Sequence, residues 1–447
     1  AELVAEGAIP AGRMATCAGD EVTPNHYGHL NAFPLSADLK HHEGGAVDWS
    51  ASPLDVIGTG PDYCLGLDEL VARLRDDPGE EVIQINHIMD NPTGLILASG
   101  WVTSPFYMKE FGVAPLSSYA DPVERRMPPR SGGVLFPLEY GTSELVTLDF
   151  DAVELIVGMH QHDPGLLFRS ALPTWFNLLN MGLLVTATGN SDSHTAIANP
   201  VGLPRNFIVS PVDPADGIGA SHDGIDLEQY ARSIREGRVI VSAGPFISVR
   251  AEGKDGTAEV GDTLSGSSAR FTVDVSAPSW AWFDRVDVYA NAEPIPVDDD
   301  TDMPMQGTAA DPAVFYKPYH VPRYTYQPAK SFSLRDGTLA DWTEEGGVIT
   351  AGASFDLTVG EDTWVVVVAR GTPGTGGYRS LFPIVTDVLV DRAKPPATYD
   401  PADLSRFHSD ERVGAPAWAI ANPIYMDADG GGFTAKHVRE GISPLAR

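Results

Sequence analysis

The sequence predicts two architectures in succession: an α/β domain over residues 1–245 and an antiparallel β-sandwich over residues 246–447. Three observations lead there. Strand-like runs alternate with amphipathic helical runs through the first half, the rhythm of a mainly parallel sheet, open or closed into a barrel. From about Gly244 onward the helical spacing gives way to strand-like runs in which apolar residues alternate singly with polar ones. Loops rich in Gly, Pro and Asp separate these later runs.

In chain order, a helix-like start and the run RMATCAG lead to Asp20 and Glu21. LDELVARLRDD sets Leu67, Leu70, Val71 and Leu74 at helical spacing and ends at Pro78, before the strand-like EVIQIN. DFDAVELIVG is the next strand candidate, followed by SALPTWFNLLNMG with Leu172, Trp175, Phe176 and Leu179 on one helical face. LLVTAT reads as a strand. DLEQYARSIREG is a helix presenting Leu227, Tyr230, Ala231 and Ile234, with Gly237 as its C-cap, and it leads into the strand RVIVSA. Gly244-Pro245 marks the exit from this region. Beyond it ARFTVDVSA alternates Phe271, Val273 and Val275, DRVDVYAN alternates Val286 and Val288, and DTWVVVVARG is apolar throughout. The stretch 298–330, rich in Pro, Asp, Met and Tyr, reads as a long ordered loop or insertion.

Composition narrows the function classes. Hydrophobic residues at 43% and charged residues at 20% are those of a globular protein. With 61 acidic against 30 basic residues the net charge is −31, which disfavours nucleic acid and anionic membranes as partners, since phosphate binding needs clustered Lys and Arg. Divalent cations, high salt or a periplasmic or extracellular setting suit such a surface better. No apolar stretch approaches the roughly 18 residues of a membrane helix. The two cysteines, Cys17 and Cys64, exclude a Cys-rich zinc fold, and they form either one bridge or two free thiols. No G-x-S-x-G elbow and no Gly-rich phosphate loop followed by Lys occurs.

Histidines and carboxylates follow strand-like runs at three places in the first half. GDEVTPNHYGHLNAF offers Glu21, His26 and His29; VIQINHIMDNP offers His87; GNSDSHT offers Asp192 and His194, which share one face of an extended segment. In α/β folds of this kind the chemistry sits at the C-terminal ends of strands. Imidazole and carboxylate ligands without thiolate suit zinc, manganese or iron, and a carboxylate such as Glu21 can bridge two ions. A single D-x-H pair is weak evidence for a metal; three such places in chain order carry the expectation. GMHQHDP adds His160 and His162, either as a substitute ligand pair or, more simply, as pocket lining or loop contacts. Arg205 is a candidate for binding an anionic substrate group, with a structural ion pair as the equal alternative. Near the C-terminus, Asp427 and Asp429 precede three glycines in MDADGGGF, which resembles part of a calcium loop, although a β-turn is the simpler reading.

The ordered set G-D-E-V-T-P, G-H-L-N-A-F, I-N-H, D-A-V-E-L, G-N-S-D-S-H and R-E-G-R-V-I-V-S-A-G-P-F resembles the polymerase-and-histidinol-phosphatase (PHP) superfamily, within it the metallohydrolases that include carbaryl hydrolase. The resemblance covers about residues 10–250. It implies a distorted (β/α)7 barrel holding two or three divalent transition-metal ions and hydrolysing phosphoesters or carbamate, ester or amide bonds. It also implies Glu21 as the bridging carboxylate and His29, His87, Asp192 and His194 as metal ligands; His26 has no counterpart. The family opens with an H-x-H strand and a T-D-H motif ahead of the segment equivalent to Glu21. Only 20 residues precede Glu21 here, and none is histidine.

The expectation is therefore a metal-dependent hydrolase whose first ligands come from an upstream segment of a processed precursor. A reduced ligand set and a degenerate, non-catalytic extracellular structural or binding protein are the alternatives. A small-molecule substrate, an N-terminal fragment of the same precursor and a second copy of the chain are the candidate partners, with His26 a candidate proton donor.

Overall fold

The computed structural model of the chain describes residues 17–23, 29–35, 67–75, 81–88, 149–158, 166–193, 201–210, 226–297, 323–372 and 416–437. Over these residues the protein is mixed α/β and mostly β.

The first sheet has the spatial order β1 (Ala18–Val22), β2 (Leu30–Leu35), β3 (Val82–Ile85), β4 (Ala152–Val157), β5 (Thr186–Asn190). Its β3, β4 and β5 are parallel, whereas β1 with β2 and β2 with β3 are antiparallel. The sheet is thus mixed where a mainly parallel one was expected. The reason is loop length: residues 23–29 alone join β1 to β2, and a parallel pair needs a crossover of about a dozen residues or more. β3 and β4 are buried along their whole length, as strands covered on both faces are.

Helix α1 (Leu67–Arg75) buries Leu70, Val71 and Leu74 in a core shared with residues of this sheet. Its last residue is tied to the strand starts: the Arg75 guanidinium donates to Asp149 at 3.1 Å, to Asp151 at 2.9 Å and to Glu81 at 3.4 Å. A wide helical turn of the π type (Leu167–Ala171) runs into α2 (Leu172–Asn180), and Pro173, which has no N–H to donate, lies just after it. All of α2 is buried, and the Trp175 indole donates to the Val185 carbonyl at 2.9 Å.

β6 (Arg205–Ile208) precedes α3 (Leu227–Arg235), whose N-cap Asp226 accepts from the amides of Glu228 and Gln229. Gly237, just beyond α3, has φ 72°, the left-handed conformation expected of a C-cap glycine. β7 (Val239–Ala243) follows.

The C-terminal strands are β8 (Phe246–Gly253), β9 (Gly256–Glu259), β10 (Thr263–Ser265), β11 (Ser268–Pro278), β12 (Arg285–Ala290), β13 (Ile295–Val297), β14 (Arg323–Thr325), β15 (Lys330–Ser333), β16 (Ala340–Glu345), β17 (Val348–Thr358), β18 (Thr363–Arg370) and β19 (Trp418–Asp427). Five form an antiparallel sheet in the order β16-β17-β11-β8-β9. Burial alternates along β8 and β11, so one face is apolar and one is wet. Five others join β7 and β6 in a seven-stranded sheet, in the order β15-β12-β18-β19-β7-β6 with β10 beside β19. Phe332 of β15 and Phe355 of β17 meet at 5.8 Å between ring centroids, closing the two sheets over a shared core. β18 and β19 are buried nearly throughout because helix α2 approaches as well: Phe176 lies 4.9 Å from the Trp364 ring, and the Trp364 indole donates to Asn180 at 2.8 Å. Of the stretch 298–330, residues 298–322 lie outside the described residues, and the rest includes β14 and the start of β15.

The seven-stranded sheet takes β6 and β7 from before residue 245, and β7 pairs directly with β19. No backbone ladder joins β5 to β6 or β7 among the described residues. Side-chain amides bridge that seam instead. Asn422 of β19 accepts from the Ala187 amide at 2.8 Å and donates to the Ala187 and Val239 carbonyls, each at 2.9 Å. Among the described residues no helix is long and apolar enough to cross a membrane.

Candidate metal centre

The three parallel strands end on one side of the first sheet, and the antiparallel turn from β1 to β2 returns to the same side. This is why Glu21, inside β1, and His29, just before β2, arrive beside His87, just after β3; the Asn86 amide donates to the His29 carbonyl at 3.0 Å. One ligand atom from each of Glu21, His29 and His87 lies within 4.8 Å of the others, so the three are positioned to hold a metal ion. The His29 and His87 rings stand edge to face with centroids 5.1 Å apart. His87 is buried, His29 half-buried and Glu21 exposed, which gives a centre with a closed floor and an open mouth.

Two carboxylates are held by their surroundings. Glu21 Oε1 lies 3.4 Å from His29 Nδ1 and accepts from Asn86 Nδ2 at 3.1 Å. The hydrogen bond with His29 holds the Glu21 carboxyl below the usual carboxylate range, against the upward push of burial, and Asn86 acts in the same downward direction. Asn86 is itself fixed: Gln84 Nε2 donates to its Oδ1 at 3.0 Å, and Thr188 Oγ1 of β5 donates to Gln84 Oε1 at 2.8 Å.

Glu154, in the middle of β4, is only 2% exposed. Its Oε2 accepts from the His87 backbone amide at 2.7 Å, and its Oε1 accepts from Asn190 Nδ2 at 2.6 Å. Burial pushes its carboxyl up to about 8, with Asp192 and Glu21 adding to the rise and the two hydrogen bonds opposing it. A carboxyl raised so far favours its neutral form near pH 7, and a cation bound beside it would favour the ionised one.

Backbone strain marks the same place. His87 has φ 27° and Asp192 φ 45°, two of the four described non-glycine residues with positive φ. Such conformations cost about 1 kcal/mol or more each and persist where neighbours over-determine them. The end of β4 presses against the Asp192 loop: a Cβ on Gly158 would meet the Ser191 carbonyl at 2.6 Å, so only glycine fits.

Of the residues singled out from sequence, Glu21, His29 and His87 come together, and Asp192 lies near enough to Glu154 to act on it electrostatically. His26, His160, His162 and His194 lie outside the described residues. Arg205 is exposed at the start of β6, and its neighbour Asn206, which points to the opposite side of the strand, is the one that reaches toward β5. Cys17 is an exposed free thiol, and Cys64 lies outside the described residues. Glu154 and Asn86 were not singled out. The signal for Glu154 was a lone carboxylate in the otherwise apolar run AVELIV, a placement that is costly unless the group is bonded.

The acidic turn after β19 forms a second cluster. One carboxylate oxygen each from Asp362, Asp427 and Asp429 lies within 4.8 Å of the others, so a cation could be held there too. Asp362, from the β17–β18 turn, was not legible from the local motif. Asp427 accepts from the amides of Gly430 and Gly432, Asp429 from Gly431, and Asp362 from Ala428 and Thr434. A calcium ion at this turn would share these oxygens with five backbone amides.

Compared with protein-family models, with curated proteins and with solved structures, the chain returns no match.

Proposed function

We propose that the chain is a metal-dependent hydrolase built on a PHP-type barrel, with water as the nucleophile toward a phosphoester or a carbamate, ester or amide bond. Glu21, His29, His87, Asp192 and His194 are its ligand set. The first sheet, continued across the asparagine seam into β6 and β7, is the part of the chain assigned to that barrel. The observation that carries the reading is the convergence of Glu21, His29 and His87 at the end of the sheet where the parallel strands finish.

The donor set fits a divalent ion of the zinc, manganese or iron class: two imidazoles and a carboxylate, with no thiolate. When bound, such ions supply Lewis acidity and lower the pKa of water. The chain's own groups do the rest. Asn86 holds one Glu21 oxygen and so sets the plane of that carboxylate. Glu154 holds the His87 peptide from below. The buried ends of β3 and β4 keep bulk water off the floor of the centre. His26 is the candidate donor of a proton to the leaving group.

The test uses the full chain. It is dialysed separately against zinc, manganese and iron(II), its metal content is measured by mass spectrometry, and it is assayed on nitrophenyl phosphate, nitrophenyl acetate and a naphthyl carbamate. The expected result is stoichiometric metal, weakened at least about ten-fold by Glu21→Gln, and turnover on one substrate class. A chain that takes up none of the three metals overturns the reading. Bound metal without turnover on any of them moves the protein to a non-catalytic scaffold.

A further inference from the structure

A chain of hydrogen bonds with only one allowed direction links Asn206 of β6 to His87. The Gly189 backbone amide can only donate, and it donates to Asn206 Oδ1 at 3.0 Å. That contact fixes which way the Asn206 amide lies, so its Nδ2 donates to Asn190 Oδ1 at 2.9 Å. Asn190 is fixed in turn, and its Nδ2 donates to Glu154 Oε1 at 2.6 Å. The other Glu154 oxygen accepts from the His87 amide at 2.7 Å, closing the chain on a second group that can only donate. Reversing either amide alone would set donor against donor at the link before it, Gly189 N–H against Asn206 Nδ2 or Asn206 Nδ2 against Asn190 Nδ2.

The chain ends where position matters most. His87 is held at φ 27°, so the direction of its imidazole depends on the peptide plane that Glu154 grips. Asn190 lies two residues before Asp192, itself at φ 45°, so the same chain anchors the loop that carries a second candidate ligand. Resting on the hydrolase reading above, we propose that Asn206 is a positioning residue for the metal centre, holding His87 and the Asp192 loop in ligating geometry through Asn190 and Glu154.

The test is cobalt(II) binding to the full chain, followed by calorimetry and by the visible absorption of bound cobalt, with the metal-free melting temperature measured alongside. Asn206→Ala is expected to weaken cobalt binding about ten-fold and to alter the visible bands, the usual size of effect for a group supporting a ligand. Asn206→Asp keeps the acceptor for Gly189 but turns an oxygen toward Asn190 Oδ1. It too should bind weakly, although its added negative charge would by itself attract a cation.

Asn206→Asp binding cobalt as tightly as the wild type overturns the proposal, as does a variant that lowers the melting temperature while leaving affinity and spectrum intact. If Asn206→Ala fails to fold, Asn206→Asp carries the test alone, since it preserves the bond to the backbone. A wild-type chain that binds no cobalt instead overturns the hydrolase reading itself, whereas binding unaltered in both variants removes only the role of Asn206.

Discussion

Replacing Asn422 with alanine should destabilise the protein by about 3 to 5 kcal/mol. Asn422 is 1% exposed and makes three hydrogen bonds across the seam between β5 and β7, at 2.8, 2.9 and 2.9 Å. At a typical net value of about 1 kcal/mol each, these account for about 3 kcal/mol. The Ala187 amide and two carbonyls would be left buried, and an orphaned donor alone costs about 1 to 3 kcal/mol, which sets the upper end of the range. The assay is urea unfolding followed by tryptophan fluorescence, reading the midpoint at constant slope. Asn422→Asp is the sharper control. One carboxylate oxygen would still accept from Ala187, but the other would face the carbonyls of Ala187 and Val239, acceptor against acceptor. At pH 7 this variant should be no more stable than Asn422→Ala, and it should recover as acid protonates the carboxyl and restores a donor. A loss below about 1 kcal/mol for the alanine variant, or wild-type stability for the aspartate variant at pH 7, would refute the assignment of the seam to this side chain.

Two further outcomes concern ion pairs. Arg75→Met should cost about 2 to 4 kcal/mol at pH 7, because it strands Asp151, whose carboxyl burial already pushes above its ordinary value. That deficit should shrink as the pH falls and Asp151 becomes neutral; a deficit independent of pH in urea unfolding would show that the pair is not its source. Glu293 accepts from Lys436 at 2.7 Å, a bond that holds its carboxyl below the ordinary range. A depressed folded value means stabilisation that is complete above the unfolded value of about 4.3 and is lost as the pH drops through the folded one. The Glu293→Gln variant should therefore match the wild type in strong acid and trail it at neutral pH, by no more than about 1 kcal/mol since both partners are partly exposed. Equal pH profiles for the two proteins would count against the pair.

The elements that could be read in advance were those whose signal is local. AVELIV and TWVVVVAR are apolar runs that become buried strands, and LEQYARSIR carries its own periodicity, its N-cap Asp226 and its following Gly237. Strand direction is another matter, since it depends on where the chain returns. β1 and β2 are joined by residues 23–29, too few for a crossover, and so they reverse the sense expected from the strand-and-helix rhythm further along. The seam is harder still. Asn422 reads as one polar residue in a C-terminal strand, and its partner Ala187 lies 235 residues earlier.

The candidate metal centre follows the same logic, with one instructive reversal. His29 was expected to follow a strand, and it precedes one, yet it reaches the expected end of the sheet because β2 runs antiparallel to β3. Residue type and strand-end position were enough to single out Glu21, His29 and His87, which the fold brings together, since imidazole and carboxylate advertise their chemistry wherever they fall. The groups that hold ligands in place advertise nothing. Asn206, Asn190, Gln84 and Asn86 are ordinary amides in sequence, and they become a scaffold only when strands far apart in the chain set donors against acceptors. Glu154 stands between the two cases. A carboxylate in a fully buried strand must be bonded, so its importance was readable, but its partners were not: Asn190 is supplied by the register of β5 beside β4, and the His87 amide by the strained turn after β3. Local chemistry therefore locates such a centre, and the pairing of distant strands decides whether its ligands can be held in working geometry.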